Sequence, residues 1–91
     1  MTDKVLLNVY LAATASTYEF RVPHALLVGQ AANLMAELLE SRERLRFYAP
    51  SQAGLMYLDG TKAGTLLEQD AWVGALVSQE NLVDGSLVAL V

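Results

Sequence analysis

The closing stretch Asp84-Gly-Ser-Leu-Val-Ala-Leu-Val91 constrains the fold more than any other part of the chain. Asp84-Gly85 reads as a tight turn, because glycine tolerates the positive φ that a short turn into a strand often demands. Leu87 to Val91 follow without a polar break, so the strand is expected to run to the final residue. A strand apolar on both faces belongs inside its sheet, covered on both sides. A chain that closes on a central strand must already have built the strands that flank it. Few topologies satisfy that order.

Upstream, Lys4 to Leu11 read as a strand with Val5, Leu7, Val9 and Leu11 on one face and Leu6, Asn8 and Tyr10 on the other. Ala12 to Ser16 are small residues suited to a loop. Thr17 to Val22 alternate again, with Tyr18, Phe20 and Val22 inward and Thr17, Glu19 and Arg21 outward, so the two strands predict a hairpin. Pro23 ends the second strand because it has no N–H to give a ladder. A helix is expected from Leu27 or Val28 to about Arg44. Its inward stripe is Leu27, Ala31, Leu34 and Leu38, flanked by Met35 and Leu39, with Gln30, Asn33, Glu37 and Glu40 opposite. Its start has no Ser, Thr or Asp to cap it. Pro50 to Gly54 mark a loop, Gly54 to Gly60 a strand entering an Asp59-Gly60 turn, and Thr65 to Glu68 a short strand. Asp70 to Val77 predict a helical turn that drops Trp72 and Leu76 into the core. One helix and four or five strands sharing one core imply a sheet with the helix packed across one face. The last strand lies beside the first, in parallel, with the helix as crossover.

The length of 91 residues predicts one domain over 1–91 with one core. Six basic side chains stand against ten acidic ones, for a net charge of −4. Nucleic acid needs a basic stripe that displaces counterions. The only basic cluster, Arg42, Arg44 and Arg46, interleaves with Glu40 and Glu43 and reads as a solvated helix end. The balance argues against nucleic acid and against an anionic membrane surface. Absence of cysteine excludes disulfides, iron–sulfur clusters and thiolate zinc sites. The N-terminal stretch shows no signal-peptide pattern, and no apolar run approaches the ~20 residues of a membrane helix, so a cytoplasmic protein without direct membrane insertion is expected. The 54% hydrophobic content exceeds what so small a chain buries, which leans toward a protein partner or a homo-oligomer.

The element order and its joints resemble the ubiquitin-like β-grasp superfamily. The hairpin Lys4–Val22, the helix near Leu27–Arg44 and the close from Asn81 to Val91 carry that likeness. Within it, Phe20-Arg-Val-Pro23 before the helix, Gly64-Thr-Leu-Leu67 before the helical turn, and Asp84-Gly85 are most similar to the YukD-like (EsaB-like) proteins of bacterial type VII secretion. The resemblance covers essentially the whole chain. It implies an α+β fold with a mixed four- to five-stranded sheet and one main helix. It further implies a non-catalytic adaptor or regulatory subunit of a secretion system, contacting a membrane component or a substrate. The alternatives are an interaction domain of a larger, membrane-borne protein, or a sulfur carrier or modifier lacking its Gly-Gly tail here. The last chemistry needs a flexible, unhindered C-terminal end, whereas Val91 is β-branched and set in the predicted strand.

Catalysis needs a base and a nucleophile held together. His24, the only histidine, reads as a solvated loop residue or a helix-entry cap, and one histidine does not make a zinc site. Asp59, Asp70 and Asp84 sit in turns, where aspartate serves the backbone. No enzyme activity, cofactor or metal is expected. Interaction remains, on the sheet face turned from the helix. Leu6 and Tyr10 belong there, joined by either Val88 and Leu90 or Leu87 and Ala89 according to register, and extended by Tyr57 or Met56. The expected docking surface is Leu6, Tyr10, Tyr57, Val88 and Leu90. Trp72, among Val73, Ala75 and Leu76, is expected to be core.

Overall fold

The computed structural model describes residues 3–91. Met1 and Thr2, part of the N-terminal stretch read above for a leader, lie outside them. The elements in chain order are β1 (Lys4–Leu11), β2 (Ser16–Pro23), α1 (Val28–Arg42), β3 (Leu55–Tyr57), α2 (Val73–Ser78) and β4 (Ser86–Leu90). The four strands form one sheet in the order β2-β1-β4-β3. β1 and β4 are parallel, and both outer pairings are antiparallel. The last strand is therefore central, as its unbroken apolar run predicts, but the helix covers only one of its sides, and the side of Leu87 and Ala89 lacks the expected cover among the described residues. It stops one residue short of the expected end, but Val91 and Gly54 still exchange backbone hydrogen bonds of 2.9 Å each. Gly85 has φ +91°, the conformation the Asp84-Gly85 turn requires.

Strand register follows from the alternation. Val5, Leu7, Val9 and Leu11 of β1 and Val22 of β2 are buried beneath the helix, while Leu6, Asn8 and Tyr10 are half-buried on the other face. Opposite residues of a ladder share a face. Leu7 stands opposite Ser86 and Val9 opposite Val88, so Ser86, Val88 and Leu90 face the helix. Leu87 and Ala89, opposite Asn8 and Tyr10, face away from it.

α1 begins and ends close to expectation but is rotated from the predicted stripe. It buries Val28, Ala31, Ala32, Met35, Ala36 and Leu39. Leu34 and Leu38, expected inside, are 49% and 60% exposed. Leucine and alanine recur on several sides of this helix, so periodicity alone leaves the angle open. Packing settles it, with Ala31, Ala32 and Ala36 buried beside Val28, Met35 and Leu39. Asn33 and Glu40 do more than meet solvent. The Ala53 N–H donates to Asn33 Oδ1 at 2.9 Å and the Ala49 N–H to Glu40 Oε2 at 2.8 Å, which ties the long α1–β3 connection to the helix.

The missing N-cap is supplied by another part of the chain. Val28 N–H donates to the Ala71 carbonyl and Gly29 N–H to the Gln69 carbonyl. In return Val73 N–H donates to the Leu26 carbonyl and Gly74 N–H to the His24 carbonyl. Each helix thus has its first free N–H groups satisfied by the lead-in to the other. The Gln30 side chain closes the arrangement by accepting the Leu27 N–H at 2.9 Å. The seam is tight. A Cβ on Gly74 would lie 2.9 Å from the Cβ of His24.

Two more expectations are corrected here. Trp72 is 54% exposed, while Val73 and Leu76 fill the core below α2. Its backbone bridges to Leu27 at the head of the short helix, a position that turns the indole outward. Thr65 to Glu68 make no strand, only an isolated bridge between Leu66 and Met56. That segment nonetheless performs a strand's task. Tyr57 N–H donates to the Thr65 carbonyl, Gly64 N–H to the Tyr57 carbonyl, and Leu67 N–H to the Leu55 carbonyl.

Candidate protein-interaction surface

The residues expected to form one docking surface fall on two sides of the sheet. Leu6 and Tyr10 are on the open face. Val88 is fully buried, and Tyr57 and Leu90 are nearly so, all on the helix side. Met56, opposite Ala89, joins the open face in place of Tyr57. The parallel β1–β4 register decided the matter, and the uniformly apolar run 87–91 carried no alternation from which to read it.

The open face has an apolar centre formed by Leu6, Tyr10, Leu87, Ala89 and Met56. Leu66 shares Met56's side of its bridge and is 67% exposed at the rim. Carboxylates fix the ends of this surface through the backbone. Leu6 N–H donates to Asp84 Oδ1 at 2.9 Å, and Leu87 N–H donates to Asp59 Oδ2 at 3.0 Å. Asn8 Nδ2 donates to the Gly85 carbonyl at 3.2 Å. Both aspartates sit beside turns, but each accepts from the backbone of a strand distant in sequence and not from its own turn. On the β2 side Glu19 and Arg21 are exposed. The arrangement is a strand surface with a half-buried apolar centre, charged on its β2 side and apolar at Leu66.

A second apolar feature lies on the other side of the molecule, and sequence reasoning missed it by assigning its leucines to the core. Between α1 and β2 runs a shallow groove of about 130 Å³, lined by Phe20, Pro23, Leu26, Leu34, Met35 and Leu38 among others. The signal for it was an excess of large apolar residues in α1 over what one face can bury. At its far end the Arg42 guanidinium sits 5.7 Å from the centre of the Tyr18 ring. The Tyr18 hydroxyl donates to Glu43 Oε2 at 3.1 Å, and Arg46 pairs with Glu43 at 2.8 Å.

Ionisable groups gather at the end of α1, where Arg42, Glu43, Arg44 and Arg46 line a cleft of about 550 Å³. Two clefts beside Tyr57, about 390 and 350 Å³, hold Lys62 with Glu68, and Lys62 with Asp59 and Glu80. Burial pushes the Tyr57 phenol above its ordinary 10.0, so it remains a neutral wall between them. No group of three or more His, Cys, Asp or Glu is placed to hold a metal ion among the described residues. No helix there is long and apolar enough to cross a membrane. His24 is not the solvated residue expected. Its Nε2 is buried without a hydrogen-bond partner, and its carbonyl caps α2 rather than the helix that follows it.

No family model and no curated protein matches this chain. Solved structures do. A chain of the MycP5-free ESX-5 inner membrane complex, State II, superposes with a TM-score of 0.72 at 14% identity, over 99% of this chain and 21% of that one. The chain thus spans about a fifth of that larger protein. The EccD5 ubiquitin-like domain from Mycobacterium xenopi gives a TM-score of 0.72 at 14% identity, over 99% of this chain and 94% of that one. The N-terminal ubiquitin-like domain of the 4931431F19Rik protein gives 0.58 at 18% identity, over 100% and 76%. Identities this low speak for the fold. With the β2-β1-β4-β3 sheet and its single long helix, they establish that this chain has the ubiquitin-like β-grasp fold.

Proposed function

We propose that the chain is a non-catalytic, cytoplasmic ubiquitin-like interaction domain that serves a bacterial type VII secretion machine, as an adaptor or regulatory subunit. One observation carries this reading. The chain superposes over 99% of its length on part of an ESX-5 inner membrane complex and on the EccD5 ubiquitin-like domain. The open sheet face suits the role, with Leu6, Tyr10 and Leu87 as the contact centre and a partner that is a membrane subunit of the machine or a substrate bound for it. A second reading is supported by the 21% coverage of the ESX-5 chain: the domain is one module of a longer membrane-borne subunit. Both use the same face.

The test is capture from a detergent lysate of the source organism, using the wild-type chain and the Leu6→Glu/Leu87→Glu variant as baits. Recovery of secretion-system subunits by the wild type, lost with the variant, supports the reading. Recovery of an adenylating enzyme overturns it in favour of a modifier or sulfur carrier. Equal recovery by both baits removes the open face from the account.

A further inference from the structure

The outer edge of β2 has a property that the open-face reading does not use. In a strand, backbone groups point alternately to the two neighbours. Leu6 receives Gly85 N–H on its carbonyl and gives its own N–H to Asp84, so Leu6, Asn8 and Tyr10 direct their backbone groups toward β4. Val5, Leu7 and Val9 then bond Val22, Phe20 and Tyr18. The hydrogen bond from His24 N–H to the Asp3 carbonyl continues the same ladder. It follows that Thr17, Glu19, Arg21 and Pro23 direct their backbone groups outward. Among the described residues, no hydrogen bond reaches Thr17, Glu19 or Arg21 from that side. An open strand edge is a template for pairing, and charges on it ordinarily discourage pairing.

The charges on this edge are spaced to complement themselves. Consider two copies with their β2 strands antiparallel and the two-fold axis at Phe20. Glu19 of each copy then stands opposite Arg21 of the other, on the same face of the joined sheet. Glu19 and Arg21 are also the outward-pointing residues, so each such pair exchanges N–H···O bonds. Thr17 N–H meets the Pro23 carbonyl of the second copy, and proline's missing N–H falls at the end of the ladder. Shifting the axis onto Glu19 sets two glutamates face to face, and shifting it onto Arg21 sets two arginines face to face. Charge therefore selects one register. On the helix side the same register sets Phe20 against Phe20 and Tyr18 against Val22. It brings the two apolar grooves together, with the exposed Leu34 and Leu38 of each copy facing those of the other across the axis.

We infer that the chain forms a two-fold dimer through antiparallel pairing of β2 with β2 of a second copy, in the register fixed by Glu19 and Arg21, with Leu34 and Leu38 as its apolar closure. The two four-stranded sheets become one continuous sheet, and the open faces stay free. This inference does not depend on the secretion reading, and the surfaces are separable by mutation.

The experiment is sedimentation equilibrium of the full chain over a wide concentration range. The wild type is expected to reach twice the chain mass. Arg21→Glu leaves two acidic residues per edge and Glu19→Arg two basic ones. Each is expected to weaken self-association by roughly tenfold or more, since like charges directly opposite are destabilising. An equimolar mixture of the two variants restores both opposite-charge pairs and is expected to recover the dimer as a heterodimer. The doubly swapped chain Glu19→Arg/Arg21→Glu is expected to recover it as well. Recovery on mixing also shows that the single variants fold. Leu87→Glu, on β4 and two strands away from this edge, leaves the dimer intact. A wild type that stays monomeric throughout, an Arg21→Glu chain that dimerises as tightly as wild type, or a mixture that stays monomeric overturns the proposal.

Discussion

The two edges of the sheet are finished in opposite ways. β3 is only Leu55–Tyr57, and its outer backbone groups are bonded by the segment 64–67, which never becomes a strand. β2 runs for eight residues, Ser16–Pro23, and nothing among the described residues covers it. One edge is closed by the chain itself and the other carries an alternating acid and base. A short edge under a loop needs no further protection. A long bare edge is kept only if it is guarded or used, and Glu19 with Arg21 fits use by a second copy better than guarding against one.

The contrast breaks most visibly at a leucine on each side. Leu67, buried at the covered edge, anchors the closing segment against the core. Leu67→Ala is expected to cost roughly 2–5 kcal/mol in urea denaturation, the range for truncating a buried leucine. Leu38→Ala, on the bare side, is expected to change the stability of the dilute chain by less than about 0.5 kcal/mol. Comparable losses at both positions would mean that the groove is core and the edges are alike.

Next in size is the seam that continues from the covering segment. Gln69 and Ala71 cap α1, and the return bonds pass beside Gly74. Gly74→Ala places a methyl group against His24, backbone as well as side chain, so relief by rotamer change is blocked. A loss of roughly 1–3 kcal/mol is expected from overpacking of this kind. Faster amide exchange at Val28, Gly29 and Val73 together would show that the two caps fail as one. A neutral Gly74→Ala would show the seam to be looser than its contacts.

The turns serving the edges sharpen the comparison further. Gly64, at φ +89°, delivers its N–H to the Tyr57 carbonyl. The β1–β2 hairpin instead places Ala15 at φ +50°. An L side chain in the left-handed region costs about 1–2 kcal/mol. Gly64→Ala is expected to lower stability by about 1 kcal/mol, while Ala15→Gly is neutral or slightly stabilising because strain relief offsets the added freedom of the unfolded chain. Opposite signs in thermal melts are the expected result.

How much of this was legible in the sequence depends on where alternation was clean. β1 and β2 carry period-two patterns, and every residue of the hairpin lies on the face assigned to it. The Asp84-Gly85 turn and the central position of β4 were readable for the same kind of reason. The face of each residue within β4 was not, because Leu87 to Leu90 are all apolar. Only the pairing of Val9 with Val88 fixes it, and that moved Val88, Leu90 and Tyr57 out of the docking surface. In α1 the larger leucines suggested the core, but the buried face carries Ala31, Ala32 and Ala36. Trp72 was misjudged because its neighbours are buried while its own position, at the head of a six-residue helix, points outward. The reciprocal capping is written mainly in carbonyls, and its side-chain traces are only Gln30, which accepts the Leu27 N–H, and Gly74, which leaves room for His24.

Tyr57 offers the smallest effect and a check on the covered edge alone. Burial raises its phenol pKa above the ordinary 10.0, so the folded chain holds its proton where the unfolded chain has begun to release it. The sign follows from linkage. Below pH 10 both states are protonated and the group adds no pH dependence. Above it the unfolded state binds fewer protons, so stability falls as pH rises from 10 through the folded pKa. Tyr57→Phe is expected to remove that part of the alkaline decline while leaving the profile below pH 10 parallel to wild type. The measurement is denaturation midpoint against pH from neutral to alkaline. A variant whose alkaline decline matches wild type would mean that the phenol reaches water despite the segment 64–67. The edge called closed would then be open at its centre, and the asymmetry between the two edges would rest on β2 alone.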